Sequence, residues 1–289
     1  MPGAPYDALL PPAMAVKAES VGVTKARGSA PTVIVLGVLA GAFIALGAVF
    51  STSVAPGAAE ALGWGPARLL SGLVFSVGLI LVVVGGAELF TGNNLIVMAW
   101  ASGQVPTRRL LRNWVLVYVG NLVGAVGTAA LVAASGQLTF GQGAVGATAL
   151  SIARHKLSLG FGEAILLGIL CNALVCLAVW LAMSARSTTD RILAVVPPVA
   201  AFVAAGFEHC VANMYFVPVA LFSRSTAPAS FWTDIGSEPG AWSDLTWSAF
   251  LLANLVPVTL GNIVGGSGLV GLVYWFVYLR KSKLKRDGP

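Results

Sequence analysis

A single histidine of this sequence lies inside an apolar stretch. His209 stands in the segment GFEHCVAN, whereas the other histidine, His155, is flanked by Arg154 and Lys156. An imidazole titrates near pH 6.5, so at physiological pH it can donate a hydrogen bond, carry a positive charge or pass on a proton. The alternative is a structural histidine bonded to a nearby asparagine. We expect His209 to be the residue that carries the chemistry.

Two glutamates occupy similar places in two similar segments. Glu88 stands in GAELFTGN at 86–93 and Glu208 stands in GFEHCVAN at 206–213. A charge at the centre of a bilayer costs on the order of 2.5–3.5 kcal/mol on insertion scales, so such groups mark a pathway or support irregular backbone. We interpret both glutamates as supports of the loops that accept backbone N–H bonds. In the first segment, Thr91 offers a hydroxyl to an anion oxygen.

The elements that carry these residues are long and apolar. The 289 residues are 57% hydrophobic and 10% charged, with a mean hydropathy of +0.86, whereas soluble domains carry about 25% charged residues. A helix needs roughly 20 apolar residues to cross a bilayer. Residues 1–30 lack the pattern of a cleavable signal peptide, so the first span is expected to direct insertion. The sequence predicts six spans, at 31–54, 67–103, 111–135, 159–183, 191–223 and 247–279.

The second and fifth spans contain helix-weakening glycines around the two glutamates. Gly85, Gly86 and Gly92 interrupt the second span and Gly206 the fifth, so we expect both helices to be broken at the bilayer midplane. Irregular backbone at that depth is tolerated where it is buried in protein or lines a wet cavity. The ends of the half-helices direct N–H groups and positive dipole ends to the centre, which favours a bound anion.

The basic residues indicate an orientation. The net charge is +6 with a pI near 9.5, which alone would also fit a nucleic-acid partner. If both termini are cytoplasmic, 13 of the 17 lysines and arginines fall in inner segments, as the positive-inside rule requires. Residues 223–246 then form an outer loop. The four basic residues of the outer segments are Arg68, Arg154, Lys156 and Arg224.

The two halves of the chain resemble each other. NWVLVYVGNLVGA at 113–125 aligns with NLVPVTLGNIVGG at 254–266, and the segments at 36–47 and 167–178 are also similar. Each half has three spans, an odd number, so the second copy enters the membrane in the opposite direction. The sequence therefore predicts an inverted three-plus-three repeat. The residues in register are Asn113 with Asn254, Gly120 with Gly261, Asn121 with Asn262, and Gly124 with Gly265.

Other classes of membrane protein lack their signatures here. A water or glycerol channel of the aquaporin type would carry paired Asn-Pro-Ala boxes, which the sequence does not have. Two histidines far apart in sequence do not make the ligand pairs of a membrane oxidoreductase. No Walker-type phosphate loop occurs, so we expect transport driven by the solute gradient and protons. We expect no cofactor, no metal and no enzymatic activity. The three cysteines, Cys171, Cys176 and Cys210, lie in apolar spans as packing residues.

Three motifs resemble the formate/nitrite transporter family over nearly the whole chain. They are AELFTGNN and GFEHCVANM in the two broken spans and PVTLGNIVGG in the sixth span. The resemblance implies an all-α integral membrane protein with an aquaporin-like fold that assembles as a homopentamer with one pore in each protomer. The amino-terminal sequence and the long segment 223–246 are most similar to the formate channels of the family. Nitrite, hydrosulfide or a short carboxylate is the alternative solute.

The resemblance also implies roles for particular residues. His209 corresponds to the central histidine, with Thr91 and Asn172 beside it on the solute pathway. Lys156 matches a basic residue of the outer vestibule. The apolar constrictions correspond to Phe75, Leu79, Leu89, Phe90, Val175 and Phe202, and the polar groups around the broken helices to Glu88, Glu208, Asn213 and Asn262.

A bare anion would lose its hydration in two apolar constrictions at a cost of many kcal/mol. Our hypothesis is that Lys156 and the loop dipoles attract formate, and that a proton, from His209 or from water through it, makes formic acid near the centre. The neutral acid then passes the second constriction. The competing hypothesis is that the anion itself passes a positively charged His209.

The chain divides into three parts: residues 1–30 as a cytoplasmic amphipathic segment, 31–279 as the channel domain, and 280–289 as a basic cytoplasmic tail. Residues 6–26 could form a helix on the membrane surface or a flexible tail, and in the family this segment is associated with gating and with a cytoplasmic formate-metabolising enzyme. The basic tail would contact anionic lipid. The resemblance places the protein in the bacterial cytoplasmic membrane. The basic residues at the carboxyl end are Arg280, Lys281, Lys283, Lys285 and Arg286.

Overall fold

The fold of residues 8–280 is described by a computed structural model, and within this range it is helical with no β-strand. Residues 6 and 7 of the predicted amino-terminal helix and all of the predicted basic tail except Arg280 lie outside the described residues. The helices are α1 (Pro11–Arg27), α2 (Ala30–Val54), α3 (Ala58–Leu62), α4 (Trp64–Gly85), α5 (Phe90–Asn93), α6 (Val97–Ala101), α7 (Thr107–Ala134), α8 (Ala144–Ser158), α9 (Phe161–Ser184), α10 (Thr188–Ala204), α11 (Cys210–Thr226), α12 (Ala229–Asp234), α13 (Val256–Ile263) and α14 (Val273–Tyr278).

Shorter helical turns join some of these elements. A 3₁₀ turn at Asn94–Ile96 connects α5 to α6, so residues 90–101 run as one irregular helix. Two π-helical stretches flank α13, which makes 249–278 one long helix with loosened turns. Such π segments widen the helix locally and often occur at functional sites.

Five helices of the described chain are long and apolar enough to cross a membrane. Large apolar side chains such as Leu39, Val119 and Leu166 are exposed on the outside of these helices. Exposed apolar surface on long helices is typical of membrane proteins, because helices satisfy their own backbone groups in lipid. The predicted class of an all-helical membrane protein is confirmed. The five helices are Ala30–Val54, Trp64–Gly85, Thr107–Ala134, Phe161–Ser184 and Ala249–Tyr278.

The second and fifth predicted spans are interrupted where the glycines lie. α4 ends at Gly85, and Gly86 follows with φ +82°. α10 ends at Ala204, and Gly206 has φ +77°. Residues with a Cβ rarely adopt this left-handed conformation, so these glycines allow the chain to leave the helix and run extended to the next one. The new helices begin at Phe90 and Cys210.

Close packing of glycine faces sets the helices around these breaks. A Cβ on Gly124 of α7 would lie 1.9 Å from the carbonyl oxygen of Val38 in α2. Likewise, a Cβ on Gly265 would lie 2.1 Å from the carbonyl oxygen of Ile169 in α9. Small residues let helix backbones approach in membranes. The approach brings the asparagines of α7 and α13 within reach of the loops that follow the breaks.

α1 lies against the channel body. Lys17 Nζ donates to the carbonyl oxygen of Met183 at 2.8 Å. Burial lowers the pKa of Lys17, and the charges of Arg191 and Arg186 lower it further. The buried face of α1 is formed mainly by small residues, while Val16 of α1 and Leu10 just before it are exposed. The buried residues of α1 are Met14, Ala15, Ala18, Glu19, Gly22 and Ala26.

The segment between α11 and the last long helix is ordered by an ion pair. Arg154 of α8 contacts Asp244 at 2.8 Å, and its guanidinium lies 3.8 Å from the centre of the Trp242 ring. The hydrogen bond from Arg154 lowers the pKa of the Asp244 carboxyl. Arg154 is therefore engaged in holding this segment.

Candidate solute pathway

His209 and Thr91 meet at the centre of the protein. The Thr91 hydroxyl lies 2.9 Å from His209 Nε2, and both residues are buried. Thr91 belongs to the first turn of α5, and His209 is the N-cap of α11. The two interrupted spans therefore bring one polar group each to the same point. The partner of His209 Nε2 is thus Thr91, and not an asparagine as in the alternative of a structural histidine.

The hydrogen bonds of His209 define its tautomer. Its Nδ1 accepts the backbone N–H of Ala212 at 3.0 Å, which caps the first turn of α11. A nitrogen that accepts carries no proton, so the neutral ring has its proton on Nε2. This proton is donated to Thr91 Oγ1, which leaves the Thr91 hydroxyl proton free to be donated elsewhere. The neutral ring therefore leaves the Thr91 hydroxyl as the available donor at the centre.

Two asparagines hold the starts of α5 and α11 in the same way. Asn121 Oδ1 accepts the N–H of Phe90 at 2.9 Å, and Asn262 Oδ1 accepts the N–H of Cys210 at 2.9 Å. The amide nitrogen of Asn121 donates to the carbonyl oxygen of Glu88, also at 2.9 Å. Asn262 does the same to Glu208 at 2.9 Å, and donates to Gly168 as Asn121 does to Gly37. The register predicted from the sequence repeat thus corresponds to matching hydrogen bonds.

Around Glu88 a polar network joins α1 to α7. Lys25 Nζ donates to Glu88 Oε1 at 3.0 Å and to Asn93 Oδ1 at 2.9 Å. Asn93 Nδ2 donates to Glu88 Oε2 at 2.5 Å and to Asn113 Oδ1 at 2.9 Å. Asn113 in turn donates to the carbonyl oxygen of Lys25 at 3.1 Å. Lys25 and Asn93 thus bind the Glu88 carboxylate, and Asn113 links Asn93 to the backbone of Lys25.

A matching network surrounds Glu208. Lys156 Nζ donates to Glu208 Oε1 at 2.7 Å. Asn213 Nδ2 donates to Glu208 Oε2 and to Asn254 Oδ1, both at 2.7 Å. Asn254 donates to the carbonyl oxygen of Lys156 at 3.0 Å. Both carboxylates thus bind lysine and asparagine side chains rather than the backbone N–H groups that we expected.

Lys25 is a site residue that the sequence reasoning missed. We assigned it only to the positive inner segments, yet it takes the place at Glu88 that Lys156 takes at Glu208. The signal was available in the paired GxE segments, because a glutamate at an equivalent place needs an equivalent counter-ion. The distance of 63 residues between Lys25 and Glu88 hid the pairing, because α1 lies outside the repeat.

On the Lys156 side of the centre the residues are aromatic. The Phe202 ring stacks on His209 with centroids 5.9 Å apart, and Phe75 meets Phe202 edge-on at 5.7 Å. Phe216 stacks on Phe75 at 6.4 Å, and Lys156 Nζ lies 5.3 Å from the Phe216 ring centre. An apolar layer therefore separates His209 from the ion pair at this end.

On the Lys25 side the layer is aliphatic and opens into a cavity. Leu79 and Leu89 line a cavity of about 270 Å³ together with Lys25, Glu88 and Asn93. Such a volume holds several water molecules or a small anion. Polar ends, apolar layers and a polar centre thus follow one another from Lys25 to Lys156.

Asn172 binds the backbone of Thr91 at the centre. Its amide nitrogen donates to the carbonyl oxygens of Thr91 at 3.3 Å and Asn262 at 2.7 Å, and to Asn94 Oδ1 at 3.1 Å. Cys176 also donates to the Thr91 carbonyl, at 3.3 Å. The described contacts therefore use the Asn172 amide to position Thr91. The six predicted constriction residues are all at most 3% exposed: Phe75, Leu79, Leu89, Phe90, Val175 and Phe202.

These features define a class of protein. Apolar helices of membrane-spanning length, two interrupted spans and a buried polar point between apolar layers form a pore or transporter for a small solute. Residues 12–276 match the family model described as formate/nitrite transporter. The chain belongs to this family of transport proteins and is not an enzyme.

Curated relatives cover nearly the whole chain. The formate channel FocA of Escherichia coli strain K12 is 47% identical over 278 residues, which are 96% of this chain and 97% of the relative. A probable formate transporter of Methanothermobacter thermautotrophicus is 40% identical and covers 93% of this chain and 97% of its own length.

Solved structures have the same fold. A structure described as a pentameric formate channel with formate bound is 46% identical, with a TM-score of 0.82, over 87% of this chain and 98% of that one. A structure described as an FNT family ion channel is 27% identical with a TM-score of 0.77, over 92% and 98%. The similarity thus extends over almost all of the described helices.

Proposed function

We propose that this protein conducts formate across the membrane in either direction through one pathway in each protomer. The observation that carries the proposal is the buried contact between Thr91 and His209, with an apolar layer on each side and a lysine beyond each layer. The similarity to formate channels over 96% of the chain supports formate as the solute.

The polar centre supplies hydrogen bonding that replaces part of the water shell of a small carboxylate. Formate has few atoms and a full charge, so apolar layers remove its water shell at a cost of several kcal/mol. A hydrogen bond to a charged group returns about 1.5–3 kcal/mol. The Thr91 O–H, whose oxygen accepts the His209 Nε2–H, supplies one such donor at the centre. The lysines, held in place by their glutamates, attract the anion at each end.

The tautomer of His209 determines how a proton takes part. A neutral imidazole that gave up its Nε2 proton would become an imidazolate, which is not accessible near neutral pH. Protonation of Nδ1 would break the bond from Ala212 that caps α11. We therefore propose that His209 acts as a neutral donor, and that the proton that neutralises formate enters from water with the solute.

The arrangement in the membrane follows from the repeat. We propose six spans in an inverted three-plus-three repeat, with spans two and five broken at the midplane. The matching networks around Glu88 and Glu208 support this arrangement. Six spans place both termini on one side, and the distribution of lysines and arginines assigns that side to the cytoplasm. The cavity at Lys25 then faces the cytoplasm and Lys156 faces outward.

We further propose a homopentamer in the bacterial cytoplasmic membrane, supported by a similar structure described as a pentameric formate channel. α1 carries Lys25, so it forms part of the inner entrance. We propose that its exposed face is where a cytoplasmic formate-metabolising enzyme docks.

The test is uptake into proteoliposomes of purified protein. Formate, nitrite, hydrosulfide and lactate are compared at matched pH and gradient, with empty liposomes as the control. We expect formate to pass fastest. If nitrite or lactate passes faster than formate, that anion and not formate is the principal solute.

A further inference from the structure

Arg68 lies on the same face of α4 as two of the predicted constriction residues. Phe75 follows Arg68 by seven residues and Leu79 follows it by eleven, and at 3.6 residues per turn both point within about 20° of the direction of Arg68. Phe75 belongs to the aromatic layer on the Lys156 side, and Leu79 belongs to the aliphatic layer on the Lys25 side. Seven residues rise about 10 Å along a helix, so Arg68 lies two turns beyond the aromatic layer, towards the Lys156 end.

The guanidinium of Arg68 is held at the end of α10. Its Nη2 donates to the carbonyl oxygen of Val203 at 2.6 Å, and its Nε donates to that of Ala204 at 3.3 Å. Carbonyl groups in the last turn of a helix carry partial negative charge and attract a cation. A Cβ on Gly206 would lie 3.4 Å from Nη2. The guanidinium therefore lies beside the glycine at which the fifth span is interrupted.

Arg68 adds a second cation to the ion pair at this end. Its charge interacts with that of Glu208, and the same carboxylate binds Lys156 at 2.7 Å. One carboxylate cannot offset two cations, and the carbonyl groups at the end of α10 supply only partial charges. Arg68, Lys156 and Glu208 together therefore carry a net positive charge.

The described hydrogen bonds of Arg68 occupy one edge of its guanidinium. This group has five N–H donors in a planar fork, and the bonds to α10 use the edge formed by Nε and Nη2. The end formed by Nη1 and the second N–H of Nη2 matches the two oxygens of a carboxylate. Arg68 is only partly buried, so solvent and its anions reach the side chain.

We propose that Arg68 binds the entering anion just before the aromatic layer, an inference that rests on the proposed function. The anion pairs with the free end of the guanidinium while it still has part of its water shell. The positive charge raises the concentration of anions at this entrance. Phe75, on the same face of α4, is the next constriction residue that the anion meets.

The experiment measures formate uptake into right-side-out membrane vesicles at low formate concentration. The Debye length falls from about 30 Å to about 10 Å between ionic strengths of about 0.01 and 0.1 M. Sodium gluconate sets the external ionic strength, and sucrose keeps the osmolarity constant. Vesicles without the protein give the background. Wild-type uptake should be faster at the lower ionic strength.

Arg68→Gln removes the charge and keeps a side-chain amide that can donate to the end of α10. We expect its uptake at low ionic strength to fall by about tenfold, the lower end of the range for charged clefts. Its dependence on ionic strength should also be weaker. Arg68→Lys keeps the charge without the planar fork, so it should keep the salt dependence at an intermediate rate.

Arg224→Gln is the matched control. It removes another guanidinium of the predicted outer segments, which also donates to a backbone carbonyl, that of Leu245. Its rate and salt dependence should stay at the wild-type values. A wild-type rate and salt dependence in Arg68→Gln, or equal losses in Arg68→Gln and Arg224→Gln, would overturn the proposal.

A purely structural role of Arg68 gives a different result. If Arg68 only holds the end of α10, Arg68→Gln and Arg68→Lys should slow uptake equally and leave the salt dependence unchanged, and this result would also overturn the proposal. The unfolding midpoint shows whether each variant is folded. If wild-type vesicles take up nitrite but no formate, the proposed solute is wrong, and the same comparison with nitrite decides whether Arg68 binds the entering anion.

Discussion

His209 has two tasks that a single imidazole performs only in one tautomer. Its Nδ1 caps α11 and its Nε2 contacts Thr91. The sequence predicted a polar centre at this residue, because no other histidine lies in an apolar stretch. It could not predict the tautomer, since the cap depends on the extended backbone of His209 (φ −112°, ψ 113°).

The first prediction concerns the titration of this histidine. His209→Asn keeps an N-cap acceptor, since asparagine is among the best N-cap residues, but it cannot titrate. We expect assembly to be retained and formate uptake to fall, with the wild-type dependence on external pH kept between about pH 5 and 7, the range around an imidazole pKa of 6.5. The measurement is uptake in proteoliposomes across this range.

The matched control for that substitution is His155→Asn. His155 is exposed in α8, far in sequence from the centre, and its replacement should leave the rate unchanged. If His209→Asn instead loses the pH dependence while His155→Asn keeps it, the imidazole relays protons and the neutral-donor proposal is wrong.

The second prediction concerns Thr91. Thr91→Ala removes the hydroxyl that accepts from His209 and is free to donate to the solute. A lost hydrogen bond to a charged group is worth about 1.5–3 kcal/mol, so formate passage should slow by about tenfold to a hundredfold. Stopped-flow uptake measures the rate. Thr91→Ser, which keeps the hydroxyl, should stay close to wild type, and unchanged flux in Thr91→Ala would exclude a direct role.

At the scale of the elements, the two lysine–glutamate networks differ in burial. The side chains of Lys25 and Glu88 are 28% and 12% exposed, whereas those of Lys156 and Glu208 are 12% and 3% exposed. Breaking an ion pair leaves the remaining charge without its partner, and the cost rises with burial. The loops after the two breaks are therefore held by pairs of unequal strength.

The third prediction follows from this difference. Glu208→Gln should lower stability by about 3–5 kcal/mol, the usual cost of removing one partner of a buried pair. Glu88→Gln is the matched variant and should cost less, because solvent reaches Lys25. Equilibrium unfolding in detergent measures both. Equal losses, or a larger loss in Glu88→Gln, would contradict the assignment of the more buried pair to Glu208.

The interruptions of the helices were predictable from sequence and the packing of α1 was not. Gly86 and Gly206 mark the breaks because their positive φ values strongly favour a residue without a Cβ. The sequence alignment paired Asn121 with Asn262. In the structure each of them accepts the backbone N–H of the first residue of the helix after a break. The position of α1 depends on contacts such as that of Lys17 with Met183, which no periodicity encodes.

The roles of some site residues also depend on contacts between distant segments. Asn172 was predicted beside the solute, yet its amide is used by acceptors from three other positions. Tyr118 was not singled out from the sequence, because a tyrosine in an apolar span is usually a packing residue. Only the contact with Thr259, 141 residues away, shows that its hydroxyl has a partner.

For the whole molecule, the fourth prediction concerns orientation. Ser243→Cys places a thiol in the exposed part of the segment between α11 and the last long helix, and Thr189→Cys places one in the exposed first turn of α10. The three native cysteines are buried, so background labelling should be small. A membrane-impermeant maleimide added to intact cells should label Ser243→Cys alone. Labelling of Thr189→Cys alone would invert the proposed topology.

The fifth prediction concerns assembly. The similar structure described as a pentameric formate channel leads us to expect five protomers. Native mass spectrometry of the detergent-solubilised protein should give a mass close to five times 29.6 kDa plus bound lipid. A stable dimer or trimer would show that this chain assembles differently from its relative.

The division of the polar networks between the halves has a consequence for synthesis on the ribosome. Lys25, Glu88, Asn93, Asn113 and Asn121 satisfy one another before residue 135 is made. In the first half, Glu88 therefore has its counter-ion Lys25 within the same half of the chain. The contacts of Thr91 with His209 and of Tyr118 with Thr259 form only when the second half arrives. A chain that stops at midpoint thus lacks His209, and with it the contact on which the proposed pathway depends.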